Sequence, residues 1–172
     1  MYFELFPTVD YVNFGQTNSK TVTNITKRPA VRQAIKDNLT VFTKHTIRSG
    51  ETPESLAFDL YGDAELHWII LLTNDIYDRY HQWPMNVNQF QAYVNEKYSD
   101  PFATHHFEIS QTSGDTTIKI DIGQDNTDHS GATAVTNYQY EQDRQDRLRQ
   151  IKLVDPLNVN QFISDFSKLM EE

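Results

Sequence analysis

Cysteine is absent from this 172-residue chain. Its absence excludes a disulfide framework, a thiolate metal site and a catalytic thiol. The chain also lacks a run of about 20 apolar residues, the length that crosses a bilayer. Its first residues, MYFELFPTVDYV, show no basic start followed by an apolar run, so they do not resemble a secretory signal. We therefore expect a protein that is soluble in the cytoplasm where it is made.

Common catalytic motifs are missing as well. The sequence contains no GxGxxG, no P-loop, no GxSxG and no HExxH. Glu51, Glu54 and Asp59 cluster near a predicted helix start, where negative charge is favourable without any catalytic role. Carboxylates are so numerous that their count alone leaves a glycosidase pair open. Since no nucleophile or acid–base set can be named, we predict neither an enzyme nor a cofactor.

The pair His105–His106 is the closest approach to a metal-binding motif. It lies in a stretch whose alternation predicts a β-strand. Adjacent strand residues point to opposite faces, so we expect the two rings to diverge, one taking a structural role and the other facing solvent. No metal site is predicted.

Charge is unevenly distributed. Residues 1–50 hold 7 Lys/Arg and 3 Asp/Glu, whereas residues 51–172 hold 8 and 21. An acidic chain is a poor partner for nucleic acid, because such binding depends on neutralising phosphates. The basic N-terminal part is interpreted as an extended arm that docks on an acidic surface, with a solvated loop as the alternative.

Residues 42–74 carry the clearest structural pattern. A β-prone run is broken at Ser49-Gly50, and Thr52 then provides a helix N-cap followed by Pro53. Gly62 suits the left-handed position that ends a helix, and Asp63 can cap the next one. From Ala64 to Thr73 the chain is apolar almost all round, which predicts a buried helix.

A loop and a third helix are predicted after Asn74. The loop carries Ile76, Tyr77, Tyr80 and Trp83. Trp83 has two interpretations, a lid over the third helix or an exposed aromatic anchor at a protein interface. Asn86 and Gln89 have the spacing of a capping box and predict the helix start. No closing strand is recognisable in this stretch.

The C-terminal part mixes strands and helices. Alternation over 104–122 predicts a hairpin, and NYQYE at 137–141 looks like a further strand. The charged run 143–154 is either a solvated helix or an extended edge. From Pro156 onward, apolar residues at i, i+3, i+4 and i+7 predict an amphipathic helix.

The order strand, loop, helix, Gly break, helix and Asn over 45–74 resembles a LysM module. In LysM domains the strand-to-helix loop and the loop after the second helix form a groove for the sugar backbone of peptidoglycan. A second strand, usually preceded by a Pro-Gly turn, closes the sheet. Here no such turn follows Asn74, so half of the sugar groove is not recognisable.

Longer segments resemble the LysM-like baseplate wedge protein of T-even-type contractile-tailed bacteriophages. They are YFELFPTVDY (2–11), RSGETPESLAFDLYGDAELHWIILLTNDIYDRYHQWP (48–84), FQAYVNEKYSDPFATHHFE (90–108) and NYQYEQDRQDRLRQIKLVDP (137–156). The resemblance implies a structural clamp that binds the scaffold proteins of the wedge and helps to join adjacent wedges. It implies a place in the virion tail baseplate, reached after assembly in the host cytoplasm.

We therefore predict an α+β fold with a LysM-like βαα core, an extended N-terminal arm and a C-terminal hairpin-plus-helix lobe. The expected boundaries are 1–41 for an N-terminal strand and extended docking arm, 42–98 for the LysM-like domain with its third helix, and 99–172 for the C-terminal hairpin, polar loop and amphipathic helix. The expected partners are other baseplate wedge proteins, with no nucleic acid or membrane. The residues predicted to make these contacts are Ile76, Tyr77, Tyr80, Trp83, Arg28, Arg32, Phe162 and Phe166.

Two rival functions remain. A peptidoglycan-binding module would bind glycan near Arg48–Thr52 and Asn74, although the missing closing strand makes peptidoglycan an unexpected ligand. A glycan hydrolase would lose turnover when one carboxylate is neutralised.

Overall fold

The computed structural model describes residues 2–12, 14–15, 18–27, 30–31, 41–124 and 129–171. The chain divides into two compact units. The first unit comprises Met1–Trp83 and Gln150–Glu172, and the second comprises Pro84–Arg149. The expected boundaries after residues 41 and 98 thus fall inside these units. The fold is mixed α and β, as predicted.

The first unit begins with a 3-10 helix, Tyr2–Leu5, and an antiparallel hairpin. Strand β1 (Thr8–Val12) pairs with β2 (Ser19–Thr23), placing Val9 opposite Val22 and Tyr11 opposite Lys20. Almost every side chain of the hairpin is exposed. The predicted arm therefore contains a regular hairpin, whose second strand has no apolar alternation strong enough to reveal it in the sequence.

Strand β3 (Phe42–Thr46) pairs antiparallel with β7 (Gln150–Val154). The sheet closed by β7 was not recognised in the sequence, because the second unit is inserted in the chain before the closing strand. The charged run divides between the two predicted alternatives: residues up to Leu148 are helical, and residues 150–154 are an extended strand. Ile151, Leu153 and Val154 of that strand are buried.

Two packed helices follow β3 directly. Helix α1 (Pro53–Tyr61) begins at Thr52, whose side chain accepts a hydrogen bond from the Ser55 N–H, and it ends at Gly62 with φ of 77°. Asp63 caps the 3-10 helix Ala64–Leu66, which leads directly into α2 (His67–Thr73). These caps and the buried second helix confirm the predictions for this stretch.

Two apolar clusters form the core of the first unit. One joins Phe6 and Trp68 to the C-terminal helix α6 (Val159–Glu171), which follows the 3-10 helix Pro156–Asn158. The other lies among α1, α2 and β7. Helix α6 confirms the predicted amphipathic helix. Near its C-terminal end, the carbonyl of Met170 accepts a hydrogen bond from Lys27 Nζ at 2.7 Å. That cation lies where a helix dipole favours positive charge.

A short helix, α3 (Arg79–Gln82), precedes the second unit. The second unit contains two longer helices, α4 (Val87–Lys97) and α5 (Asn137–Leu148), and a three-stranded antiparallel sheet. Strands β4 (Thr104–Ser110), β5 (Lys119–Gly123) and β6 (Thr133–Thr136) follow the order β5-β4-β6. The predicted capping box of α4 and the predicted hairpin β4–β5 are both confirmed.

Two predictions for the second unit are wrong. The NYQYE segment is the start of α5 and not a strand, because Thr136 and Gln139 form a capping box and the helix buries Glu141 and Gln145. The rings of His105 and His106 do not diverge, because β4 shifts register against β6 between Thr104 and His106. In the described part of the chain, no helix is long and apolar enough to cross a membrane.

The cap of α1 provides a stability test. Thr52→Ala removes the hydroxyl that accepts from the Ser55 N–H at 3.1 Å. We expect it to lower the free energy of unfolding by about 1 kcal/mol, the usual cost of losing an N-cap. Urea denaturation measures this. The control is Thr112→Ala, in an exposed bend of the second unit; equal effects of the two variants would contradict the capping role.

Candidate interaction surface

Asn74 ties the end of α2 to the closing strand. Its side-chain Nδ2 donates to the carbonyls of Ile70 and Lys152, both at 2.8 Å. Its Oδ1 accepts from the Lys152 N–H, also at 2.8 Å. The amide side chain therefore pairs with β7 much as a backbone group would. The next residue, Asp75, has φ of 54°, which turns the chain sharply away from the helix.

Residues 75–83 form a strap that folds back towards α1. Within the strap, Gln82 Oε1 accepts hydrogen bonds from the backbone N–H groups of Tyr77 at 2.7 Å and Asp78 at 2.8 Å. Asp78 also caps α3. Arg79 forms an ion pair with Glu54 in the first turn of α1. The strap is therefore internally ordered and fastened to the start of α1.

Trp83 ends the strap and is only 8% exposed. Its ring packs in the second core cluster, beside Leu56 and Ile70. Its Nε1–H donates to the carbonyl of Glu51 at 2.8 Å. The interpretation of Trp83 as an exposed anchor is therefore wrong, since the indole fills the space between the strand-to-helix loop and the core.

The strand-to-helix loop is rigidified by Glu51. Its Oε2 accepts from the Arg48 N–H at 2.9 Å and lies 3.0 Å from His45 Nε2. Partial burial acts to raise the pKa of Glu51, but these hydrogen bonds and the nearby positive charges outweigh it and hold the pKa below its usual value. Together with the Trp83 hydrogen bond, these contacts fix the loop at Glu51.

The outer side of the strap carries exposed aromatic side chains. Tyr77 is 72% exposed and Tyr80 is 87% exposed, while Ile76 is half-buried against the second cluster. The pKa of Tyr2 is raised first by burial and then by Tyr77. Exposed tyrosines on a rigid support are typical of protein interfaces.

Helix α6 contributes less surface than the sequence suggests. Phe166 is 5% exposed, and its ring centroid lies 4.8 Å from that of Trp68. It is therefore part of the core and does not form a surface contact. Phe162 is half-buried and lines an apolar cavity of about 450 Å³ with Val41, Leu72 and Leu169.

The hairpin β1–β2 presents a second apolar surface. Val9, Tyr11 and Val22 share one face, where Val9 and Tyr11 are exposed. Phe14, beyond the end of β1, is fully exposed. Arg28 and Arg32, which the sequence marked as contacts of this arm, lie outside the described residues.

Comparison with known proteins agrees with the resemblance seen in the sequence. Residues 1–106 match the family described as base plate wedge protein 53. The chain belongs to this phage family. It is also 27% identical over 142 residues to baseplate wedge protein gp53 of Enterobacteria phage T4, covering 73% of this chain and 72% of that protein. The chain is thus a structural protein of a phage tail baseplate, from a family not known for enzymes.

The loop that forms the strap is recognisable in the sequence, but the contact of Trp83 with the strand-to-helix loop is not. Nothing local distinguishes a tryptophan that covers a loop from one that faces a partner. Trp83 and Glu51 are 32 positions apart in the chain, so their contact exists only in the folded structure. The alternation of apolar and polar residues in QIKLV is the sequence signal that predicts strand β7. Ile151, Leu153 and Val154 of this strand are buried.

Trp83 can be tested by graded substitution. Trp83→Phe keeps most of the packing but leaves the Glu51 carbonyl without its donor, which costs about 1–3 kcal/mol of unfolding free energy. Trp83→Ala also leaves a cavity and is expected to cost about 3–5 kcal/mol. Tyr80→Ala, on the same strap but exposed, should stay within about 0.5 kcal/mol of the wild type. Urea denaturation that ranked Tyr80→Ala with Trp83→Ala would contradict the buried role.

Proposed function

We propose that this protein is a clamp subunit of the baseplate wedge, which binds scaffold proteins of the wedge and helps to join neighbouring wedges. The observation that carries the proposal is the exposure of apolar and aromatic side chains on the hairpin β1–β2 and on the strap. The chain that carries these two surfaces belongs to a baseplate wedge family. Contiguous exposed apolar groups mark interaction sites. The clamp acts through protein contacts, without nucleic acid, membrane or cofactor.

The core of the clamp is a LysM-like unit in this proposal. Strand β3, helices α1 and α2, and strand β7 follow one another in the order strand, helix, helix, strand, and the two strands pair antiparallel. This order supports a LysM-like core whose closing strand is separated from its second helix by an inserted unit. The core would then consist of residues 42–74 and 150–154.

The strap explains why such a core would bind protein and not sugar. In the LysM modules that the sequence resembles, the loop after β3 and the loop after α2 form the sugar groove. Here the loop after α2 continues into the strap, which places Trp83 on Glu51 and Arg79 on Glu54. Because the chain's own side chains occupy these positions, the outer face of the strap is the surface left for a partner.

The proposed contact residues fall into two groups. Tyr77, Tyr80, Ile76 and Phe162 have side-chain surface available for direct contact. Trp83 and Phe166 are buried and would support the surface from beneath. Arg28 and Arg32 remain proposed contacts of the N-terminal arm on sequence grounds alone. The basic character of residues 1–50 suits an acidic docking surface.

Wedge assembly tests this proposal directly. Two double variants, Tyr77→Ala with Tyr80→Ala and Val9→Ser with Tyr11→Ser, remove exposed side chains without touching the core. Each is expected to reduce co-sedimentation with the purified wedge proteins of the same phage at least about tenfold, as the loss of interface anchors does. Circular dichroism and urea denaturation check that the variants remain folded.

The matched control for assembly is Ile118→Ser with Ile120→Ser. These residues are also exposed and apolar, but they lie in the second unit, at and beside β5. The control should co-sediment like the wild type. Folded strap and hairpin variants that assemble as well as the wild type would show that neither surface is the clamp interface.

The alternative function is a peptidoglycan-binding LysM-type module, which the order of strands and helices favours. Pelleting with purified peptidoglycan sacculi separates the two functions, beside a known LysM control and at two salt concentrations. We expect this protein to stay in the supernatant while the control pellets, because the strap covers the loop after β3. Tight pelleting that chitin fragments reverse would establish the sugar function instead.

A further inference from the structure

Two adjacent histidines of the second unit have ring nitrogens that face each other. Nδ1 of His105 lies 2.9 Å from Nδ1 of His106. Their ring centroids are 5.1 Å apart and the ring planes are nearly perpendicular, at 84°. The irregular pairing of β4 with β6 between Thr104 and His106 allows neighbouring residues to share one side of the strand.

Each ring has a second contact that fixes its position. His106 is buried, and its Nε2 lies 3.0 Å from Glu108 Oε1. His105 stacks on the ring of Tyr140 in α5, with centroids 3.9 Å apart and planes 9° from parallel. The histidine pair therefore connects the irregular point of β4 to helix α5.

The charged groups around the pair come from two neighbouring elements. In β5, Asp121 is paired in register with Glu108, and its Oδ1 accepts from the Gly123 N–H. In α5, Arg144 lies one turn after Tyr140, with Nη1 4.0 Å from the buried Glu141. Glu141 itself is bound by Lys97 and Tyr98. Strand β6, TAVT, has no titratable side chain.

The Nδ1–Nδ1 distance limits the number of protons that the pair can hold. A neutral imidazole has one N–H and one lone pair, whereas a charged one has two N–H groups. At 2.9 Å one Nδ1 must donate and the other must accept, so at least one ring is neutral. A proton on both Nδ1 atoms would bring two N–H groups head to head and break the contact.

We propose that His105 and His106 form an acid-sensitive joint between β4 and α5. The joint is closed while one ring is neutral and opens when both rings are protonated. The unfolded chain can protonate both rings, so it binds more protons than the closed joint at acid pH. Stability from the joint is therefore present while one ring is neutral and is lost when acid protonates both rings.

The decisive variant is His105→Phe, which preserves an aromatic ring over Tyr140 but removes both nitrogens. Urea midpoints measured from about pH 8 to about pH 5 should fall for the wild type, and at least half of that fall should be absent in His105→Phe. The matched control is His129→Phe, an exposed histidine of the same unit, which should keep the wild-type fall. Equal pH dependence of the wild type and His105→Phe would overturn the proposal.

Side-chain nitrogen NMR gives a second test that needs no substitution. At neutral pH one Nδ1 of the pair should carry a proton and the other should not. Protonation of the second ring should coincide with chemical-shift changes at Ala134 and Val135 of β6, beside the irregular point. Two fully protonated rings with these β6 signals unchanged would show that the joint does not open, which would also refute the proposal.

Glu108→Gln provides an independent variant if His105→Phe does not fold. The amide oxygen still accepts from His106 Nε2, but the negative charge that favours a proton there is gone. Protonation of the pair should therefore shift to lower pH, seen in the same NMR titration. No shift would mean that Glu108 does not act on the pair and that the joint as described is wrong.

Discussion

The pairing of β3 with β7 is the interaction on which the first unit depends. Thr46 and Gln150, at one end of this pairing, are 104 positions apart in the chain. Helices α1 and α2 are also bound to β7. Tyr61 at the end of α1 donates its hydroxyl to the Val154 carbonyl at 3.1 Å, and Asn74 after α2 exchanges hydrogen bonds with Lys152. Because β7 also supplies buried side chains to both core clusters, neither cluster is complete without it.

The strap and the loop after β3 are joined by an internal contact. Trp83 supplies both an apolar ring and one directed hydrogen bond, so its position is fixed by packing and by the Glu51 carbonyl together. The outer side of the strap supported in this way carries Tyr77 and Tyr80. A rigid surface loses less side-chain and backbone entropy on association than a mobile one does.

Local chemistry made part of this structure predictable. Thr52, Gly62, Asp63 and the Asn86–Gln89 box act within one turn of the chain, so their roles can be seen in the sequence. The spacing of apolar residues after Pro156 predicts α6 for the same reason. The strand β7, the burial of Trp83 and the facing histidines depend on segments brought together from far apart or on an irregular register, which no local pattern encodes. The prediction for the start of α5 is wrong for a different reason. Its two tyrosines favour a strand, but the cap at Thr136 and the burial of Glu141 outweigh that preference.

The discontinuity of the first unit has a consequence for synthesis. Residues 42–74 leave the ribosome well before residues 150–154, so the early part of the core has no strand to pair with while the second unit is being made. The second unit is continuous in the chain and can fold as soon as it emerges, whereas β3, α1 and α2 must wait. Apolar surface of Ile69, Ile70 and Leu72 stays uncovered during that interval. Chains interrupted before β7 would therefore leave this surface without its covering strand, which makes them targets for proteolysis.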